Sequence, residues 1–327
     1  MKKITLPGMT LPVSRIIFGC MTLGDSWNRS EPITDAARSR AMTAVRLAME
    51  EGINFFDHAD IYCSGKSEEV FSQLLIESPH LRDQIAIQSK CGIRFGGDPT
   101  PYSPGRYDFR RDYIVSSVEG SLSRLQTDYL DILLLHRPDP LVEPDEVAAA
   151  FDALHAAGKV RHFGLSNHTA AQISLLRKSV RQPIIVNQVE VSLLHTYLLD
   201  AGIVFNQDDP AGLVHNEGTL EYCREHGITI QAWSPLAKGA VISGESRLRP
   251  DAAQAVAAEV AGLAADMKVS AEAIALAWLM RHPAGIQPVV GSRNPERIRA
   301  ACQADGVELT REDWYRLFIA GRGAKLP

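Results

Sequence analysis

The chain has 327 residues, 45% of them hydrophobic, so a large apolar core can form. Its 34 basic and 39 acidic side chains leave a net charge of −5, which excludes the basic footprint of a nucleic-acid binder and a polybasic membrane patch. Five scattered cysteines (Cys20, Cys63, Cys91, Cys223 and Cys302) form no CxxC pair, which argues against a disulfide framework or a zinc site and fits a reducing cytoplasm.

In chain order, Met1 to Gly8 carries positive charge with no apolar run behind it, unlike a signal peptide, and no later segment approaches the ~20 apolar residues of a membrane helix. The first short apolar run is Ile16-Ile17-Phe18. An amphipathic stretch over 36–51 follows, with Gly52 where a helix end needs a left-handed residue. Further runs are Asn54-Phe55-Phe56 and Ile85-Ala86-Ile87. Residues 94–109, rich in Gly, Pro and Tyr, read as a long loop whose Tyr102, Tyr107 and Phe109 would form an aromatic wall. The spacing of Ile114, Val115, Val118, Leu122 and Leu125 predicts a helix over 110–125. Then come Ile132 to Leu135, a helix over 144–157 ended by Gly158, Val160 to Leu165, and Ile184-Ile185-Val186. A polar stretch over 200–218 contains Asp208-Asp209-Pro210. Thr229 to Trp233 and Val289-Val290 complete the series.

Each of the eight runs is too short for a typical helix and reads as a strand buried on both faces. Eight strands alternating with helices predict a (β/α)8 barrel of the TIM type, in one domain over residues 1–327. A doubly wound sheet would carry G-x-G-x-x-G after its first strand. Here the chain reads Gly19-Cys20-Met21-Thr22-Leu23-Gly24 instead.

In a barrel of this kind, reactive side chains sit at the C-terminal ends of the strands. That rule selects Asp57, with Tyr62 on the loop beyond it, Lys90 and His136. Taken singly, each has an ordinary structural explanation: a turn cap, a packed ring, a surface charge, a hydrogen-bonded histidine. Together on three successive strand ends they form an acid-catalysis set. A tyrosine donates poorly with its usual pKa of ~10, an ammonium beside it favours the phenolate, and a carboxylate holds that ammonium in place. His136 can donate to a substrate oxygen, so the set can protonate an oxyanion as it forms.

The segments Phe56-Asp57-His58-Ala59-Asp60-Ile61-Tyr62 and Gly158-Lys159-Val160-Arg161-His162-Phe163-Gly164-Leu165-Ser166-Asn167 resemble signatures of the aldo-keto reductases. The resemblance runs from about Ile16 to about Cys302, and Leu133-Leu134-Leu135-His136-Arg137-Pro138-Asp139 is similar to a bacterial oxidoreductase branch of that family. It implies a catalytic tetrad of Asp57, Tyr62, Lys90 and His136 and an NADP(H) cofactor held without a Rossmann domain. By that resemblance Ser166, Asn167 and Gln188 hold the nicotinamide carboxamide and Trp233 stacks on the ring. Asn167 also reads as a cap for a helix starting near Thr169. The stretch Ser234-Pro235-Leu236-Ala237-Lys238-Gly239 surrounds the pyrophosphate, with Ser234, Leu236, Lys238 and Gly239 in contact. Gly291, Ser292, Arg293 and Arg297 form the 2′-phosphate end, where Asn294 and Pro295 predict a helix N-terminus suited to an anion. Ala300 and Ala301 stand where many relatives carry Glu and Asn.

The implied activity is NADPH-dependent reduction of a small aldehyde or ketone, with Met21 and Trp27 expected at the pocket. Two other readings are an NADP(H)-binding regulatory or sensor subunit with little turnover, and a Schiff-base lyase using Lys90.

Overall fold

The computed structural model describes residues 1–203 and 218–326. The chain opens with a two-stranded antiparallel hairpin, β1 (Lys3–Ile4) and β2 (Val13–Ser14). Strands β3 (Ile17–Gly19), β4 (Phe55–Asp57) and β5 (Ala86–Cys91) follow. A second small hairpin, β6 (Ile93–Arg94) and β7 (Arg106–Tyr107), intervenes. The remaining strands are β8 (Leu130–Leu135), β9 (Val160–Ser166), β10 (Ile184–Glu190), β11 (Thr229–Trp233) and β12 (Gln287–Val290). The eight strands outside the two hairpins are all parallel and close in the order β10-β11-β12-β3-β4-β5-β8-β9. This is the (β/α)8 barrel that the eight apolar runs predict.

Three strands run past the apolar residues that mark them. Strand β5 continues through Gln88, Ser89 and Lys90, β9 takes in Ser166, and β10 continues through Asn187, Gln188 and Glu190. Hydrophobicity undercounts these strands because their last residues carry the polar groups of the barrel mouth.

Helices form the outer layer. Helix Asp35–Glu50 is capped by the Thr34 hydroxyl, and Gly52 just beyond it adopts φ +92°. Helix Arg111–Leu125 buries Ile114, Val118, Leu122 and Leu125. Gly158, at φ +70°, follows helix Pro144–Ala156. The helix after β9, Ala170–Leu176, is capped by Thr169 in a reciprocal pair with Gln172, so the cap is Thr169 and not the expected Asn167.

The floor of the barrel is closed by the first hairpin. Leu6, Met9 and Val13 pack against Ile17, Phe55, Ala86, Ile132, Leu134, Ile185, Val186 and Val289 to fill the interior. Asn54 ties the hairpin to the barrel: its Oδ1 accepts from the Ser14 N–H at 2.8 Å, and its Nδ2 donates to the Pro12 and Gln84 carbonyls. The hairpin covers that end, and the polar residues that close the strands lie at the opposite, C-terminal face.

The segment 94–109 departs from a plain loop. Its glycines and prolines form the tip, but both stems pair as β6 and β7. Arg94 binds Asp98 and Asp108, each at 2.9 Å, and Tyr113 Oη donates to the Ile93 carbonyl. Tyr102 and Tyr107 are exposed, whereas Phe109 is buried and stacks on His168, so it is a core residue and not part of an aromatic wall. Of the expected loop 200–218, residues 204–217 lie outside the described residues.

Candidate active site

Strand β4 ends at Asp57, and the chain beyond it stays alongside β5, with the His58 N–H donating to the Gln88 carbonyl and the Asp60 N–H to the Lys90 carbonyl. A tight turn over Tyr62–Gly65 then reverses the chain, with Cys63 and Ser64 in the left-handed region. The turn is braced by the loop after β3. Cys63 Sγ and Ser67 Oγ donate to the Met21 carbonyl, and Ser64 Oγ donates to the Trp27 carbonyl. Gly24 sits where any Cβ would come within 2.6 Å of the Cys63 Cβ, so only glycine permits this contact. Met21 and Trp27 are thereby held, exposed, at the same rim as Tyr62.

Lys90, nearly fully buried, is the hub of the site. Its Nζ lies 2.7 Å from both carboxylate oxygens of Asp57, 2.9 Å from the His58 carbonyl and 3.0 Å from the Tyr62 hydroxyl. The His136 ring meets the Tyr62 ring edge-on, with centroids 5.9 Å apart. The four residues chosen from the sequence therefore come together.

Electrostatics sharpen their states. Burial pushes the Tyr62 phenol above its ordinary value, while the Lys90 ammonium pulls it down and Asp57 pushes it up. The expectation that Lys90 leaves this phenol easier to ionise is corrected in its net sign: excluding water from the phenolate outweighs the ammonium. Burial works against the Lys90 ammonium, but Asp57 and Tyr62 together hold it above the usual lysine range. Burial, then the charges of Lys90 and Arg137, hold the His136 imidazole well below the usual range, so the ring is neutral. Its Nδ1 is buried with no partner among the described residues.

The residues expected to hold the cofactor line the same face. Ser166 Oγ donates to the Gln188 carbonyl at 2.9 Å. Asn167, at φ +62°, sends Nδ2 to the His136 carbonyl and the Ser166 hydroxyl and accepts from Trp233 Nε1 at 3.0 Å. Trp233 is half-buried at the end of β11. The stretch from Ser234 to Gly239 carries positive φ at Ser234, Ala237, Lys238 and Gly239, which turns backbone groups into a concave loop. Gly291 and Ser292 follow β12, and Asn294 caps helix Pro295–Cys302 by accepting from the Glu296 and Arg297 N–H groups. Arg297, exposed in the first turn, makes no side-chain hydrogen bond or ion pair among the described residues. Arg293 instead pairs with Asp25 at 2.5 Å, joining the last barrel loop to the first.

Gln188 does more than the sequence implies. Its Nε2 donates to Asp57 Oδ1 at 3.0 Å and to Gln231 Oε1 at 3.0 Å. Gln88 Nε2 donates to the same two atoms at 2.6 and 2.9 Å. Neither Gln88 nor Gln231 was singled out by the sequence. The available signal was a glutamine inside an otherwise apolar or small-residue strand.

The chain is similar to known proteins over nearly its whole length. A family model described as the aldo/keto reductase family matches residues 15–320. The chain is 37% identical over 321 residues to the uncharacterized oxidoreductase YcsN of Bacillus subtilis, covering 97% of each chain. It is 35% identical over 317 residues to a 6-dehydroglucose reductase of Agrobacterium fabrum, again covering 97% of each. Among solved structures, an aldo-keto reductase from Klebsiella pneumoniae in complex with NADPH superposes with a TM-score of 0.74 at 25% identity, covering 97% of this chain and 94% of that one.

Proposed function

The chain belongs to the aldo/keto reductase family, and we propose that it reduces an aldehyde or ketone to an alcohol with Tyr62 as proton donor, Lys90 and Asp57 behind it, and His136 orienting the carbonyl. It is an NADP(H)-dependent oxidoreductase. The observation that carries the mechanistic reading is the unbroken chain from Asp57 through Lys90 to the Tyr62 hydroxyl, at 2.7 and 3.0 Å.

The residues at the barrel mouth suit the cofactor. Trp233 offers a half-open indole face at a strand end, and the Asn167 amide, the Ser166 hydroxyl and the Gln188 main-chain carbonyl already form one hydrogen-bonded set. Ser234, Leu236, Lys238 and Gly239 belong to the concave loop that would hold a pyrophosphate, and Gly291, Ser292, Arg293 and Arg297 would hold the 2′-phosphate end. An exposed arginine at a capped helix N-terminus is the right chemistry for a phosphate. When bound, NADPH supplies hydride to the carbonyl carbon.

The chain's own groups handle the oxygen. Neutral His136, with Nδ1 enclosed, offers Nε2 to the carbonyl oxygen and sets the direction of approach. Because burial holds the phenol up, Tyr62 keeps its proton through neutral pH and is loaded as an acid. As negative charge grows on the oxygen, the phenol releases its proton, and the phenolate left behind faces the Lys90 ammonium at a distance already set. Asp57 keeps that ammonium from drifting.

Two relatives bear the name 6-dehydroglucose reductase, which makes 6-dehydroglucose and short hydroxyaldehydes the first substrates to try. A sensor role without turnover is disfavoured by a fully assembled acid-catalysis set. The experiment is to follow NADPH oxidation with a panel of aldehydes, diketones and ketones for wild type and Tyr62→Phe. The variant is expected to lose at least 100-fold, the usual contribution of a general acid being about 10²–10⁴. Equal rates would remove Tyr62 from the mechanism.

A further inference from the structure

Strand register pairs four polar residues two by two on the inside of the barrel. Asp57 on β4 lies opposite Gln88 on β5, and Gln188 on β10 lies opposite Gln231 on β11. Their side chains meet across the interior. Asp57 Oδ1 accepts from Gln88 Nε2 at 2.6 Å, Gln188 Nε2 at 3.0 Å and Lys90 Nζ at 2.7 Å, while among the described residues Oδ2 accepts from Lys90 alone. Gln231 Oε1 then accepts from both glutamines at 2.9 and 3.0 Å. Beneath these side chains the barrel is filled with Ile17, Phe55, Ile132, Leu134, Val186 and their neighbours.

We propose that Gln88, Gln188 and Gln231 are positioning residues of the reduction: a buried amide floor that fixes the Asp57 carboxylate and, through it, the Lys90 ammonium under the Tyr62 hydroxyl. This rests on the reading of Tyr62 as proton donor. Three observations carry the inference. All three glutamines are fully or almost fully buried, where an amide is costly and a Leu or Met would fill the volume without loss. The floor does not satisfy its own amides, since Gln88 Oε1 and Gln231 Nε2 have no partner among the described residues, so amide saturation does not account for the arrangement. The amides are oriented by Asp57, because a carboxylate only accepts and both Nε2 groups must turn toward it.

The consequence reaches Tyr62 through Lys90. The carboxylate plane is pinned by two amides on one oxygen, so the ammonium bridging both oxygens has one resting place. The charged and titratable groups around the Tyr62 hydroxyl are Lys90 on β5, Asp57 on β4, Cys20 after β3 and His136 after β8. The amides draw electron density from Asp57 and leave the ammonium freer to face the phenolate. Without them Asp57 leans harder on Lys90 and is free to rotate. Either change leaves the phenolate less supported and the phenol a weaker acid. Gln188 belongs to both assemblies, since its carbonyl accepts from Ser166 while its amide holds Asp57.

The test uses Gln231→Met and Gln88→Met, each close in volume to the original, in the full-length protein loaded with NADPH. Neither replaced side chain belongs to the catalytic tetrad. For Gln88→Met, which removes a hydrogen bond to the Asp57 carboxylate, kcat is expected to fall about tenfold; for Gln231→Met, which removes only the neutral acceptor that holds the two amides, it is expected to fall about threefold; in both the KM for NADPH stays within about twofold of wild type. The alkaline limb of the kcat–pH profile is expected to move to higher pH, because the phenol ionises less readily. Thermal unfolding is recorded alongside, and if one variant does not fold the other is read. A wild-type kcat, or a lower kcat with the alkaline limb unmoved, overturns the amide floor. Tyr62→Phe in the same assay separates the two ideas: full activity there overturns the acid assignment, whereas lost activity there with an unmoved limb in the glutamine variants overturns the floor alone.

Discussion

Replacing Lys90 by Met tests the centre of the site through stability and rate at once. Lys90 and Asp57 are 1% and 2% exposed, with Nζ 2.7 Å from each carboxylate oxygen. At that distance, with an effective dielectric constant of about 20, their attraction is roughly 6 kcal/mol, and it offsets a desolvation cost of several kcal/mol for each ion. The pair as a whole therefore adds little to stability, but either partner alone is expensive. Methionine keeps the length of the side chain and strands the carboxylate, a change that costs about 3–5 kcal/mol in buried pairs. Here Asp57 Oδ1 keeps the Gln88 and Gln188 amides, so the expected loss is near the lower end, ~3 kcal/mol. Asp57→Asn combined with Lys90→Met removes both charges and should recover more than half of that loss. The assay is urea unfolding of wild type, both single variants and the double, read as a mutant cycle. Turnover should fall by about 10²–10⁴ in Lys90→Met and stay low in the double variant, because recovered stability does not restore support for the phenolate. A Lys90→Met protein as stable as wild type, or a cycle with no coupling, would refute this account of the pair.

Arg297→Ala should raise the KM for NADPH by about 10- to 100-fold and the KM for NADH by less than about twofold, since a charge-assisted contact to the 2′-phosphate exists only with the former. Equal effects on the two cofactors would remove the 2′-phosphate role. Buried histidines set the acid side of stability. Burial takes His58 to about 3 and His168 to about 4, and it holds His136 well below the usual range. The unfolded chain takes up these protons near pH 6.5 and the folded protein does so only at lower pH. Stability therefore falls as pH drops from about 6.5 towards 4, by about 1.4 kcal/mol per pH unit for each histidine. Neither ring nitrogen of His58 has a partner among the described residues, and the ring packs on Phe71, so His58→Leu removes the titration with little else. Its unfolding free energy should depend on pH less steeply by that same amount, and an unchanged slope would contradict the assignment.

Much of this protein is legible along the chain because the deciding forces are local. A doubly buried strand is apolar over most of its length, so eight short runs suffice to count the barrel. Helix ends need a left-handed residue or a cap, so Gly52, Gly158 and the Asn294-Pro295 start are visible without coordinates. Asp57, Lys90 and His136 stand out because an ionisable residue closing an apolar run has few places to go except the mouth. Local reasoning fails where two candidates compete a few residues apart: Thr169 caps its helix because Gln172 reciprocates, which frees Asn167 to turn left-handed toward Trp233. Phe109 looks like its neighbours Tyr102 and Tyr107, but the β6–β7 hairpin folds it inward.

Residue types and their order along the chain thus determined the barrel and marked Asp57, Tyr62, Lys90 and His136 as candidates at its mouth. Only the closed structure decided what surrounds them. Gln88 and Gln231 are 143 positions apart, and Arg293 and Asp25 are 268 apart. No periodicity links such pairs, because the register and closure of the barrel choose which strand ends face one another. The sign of the Tyr62 shift has the same origin. A nearby lysine can be guessed from the spacing of strand ends, but the exclusion of water that outweighs it is a property of the enclosed volume, to which residues from every part of the chain contribute.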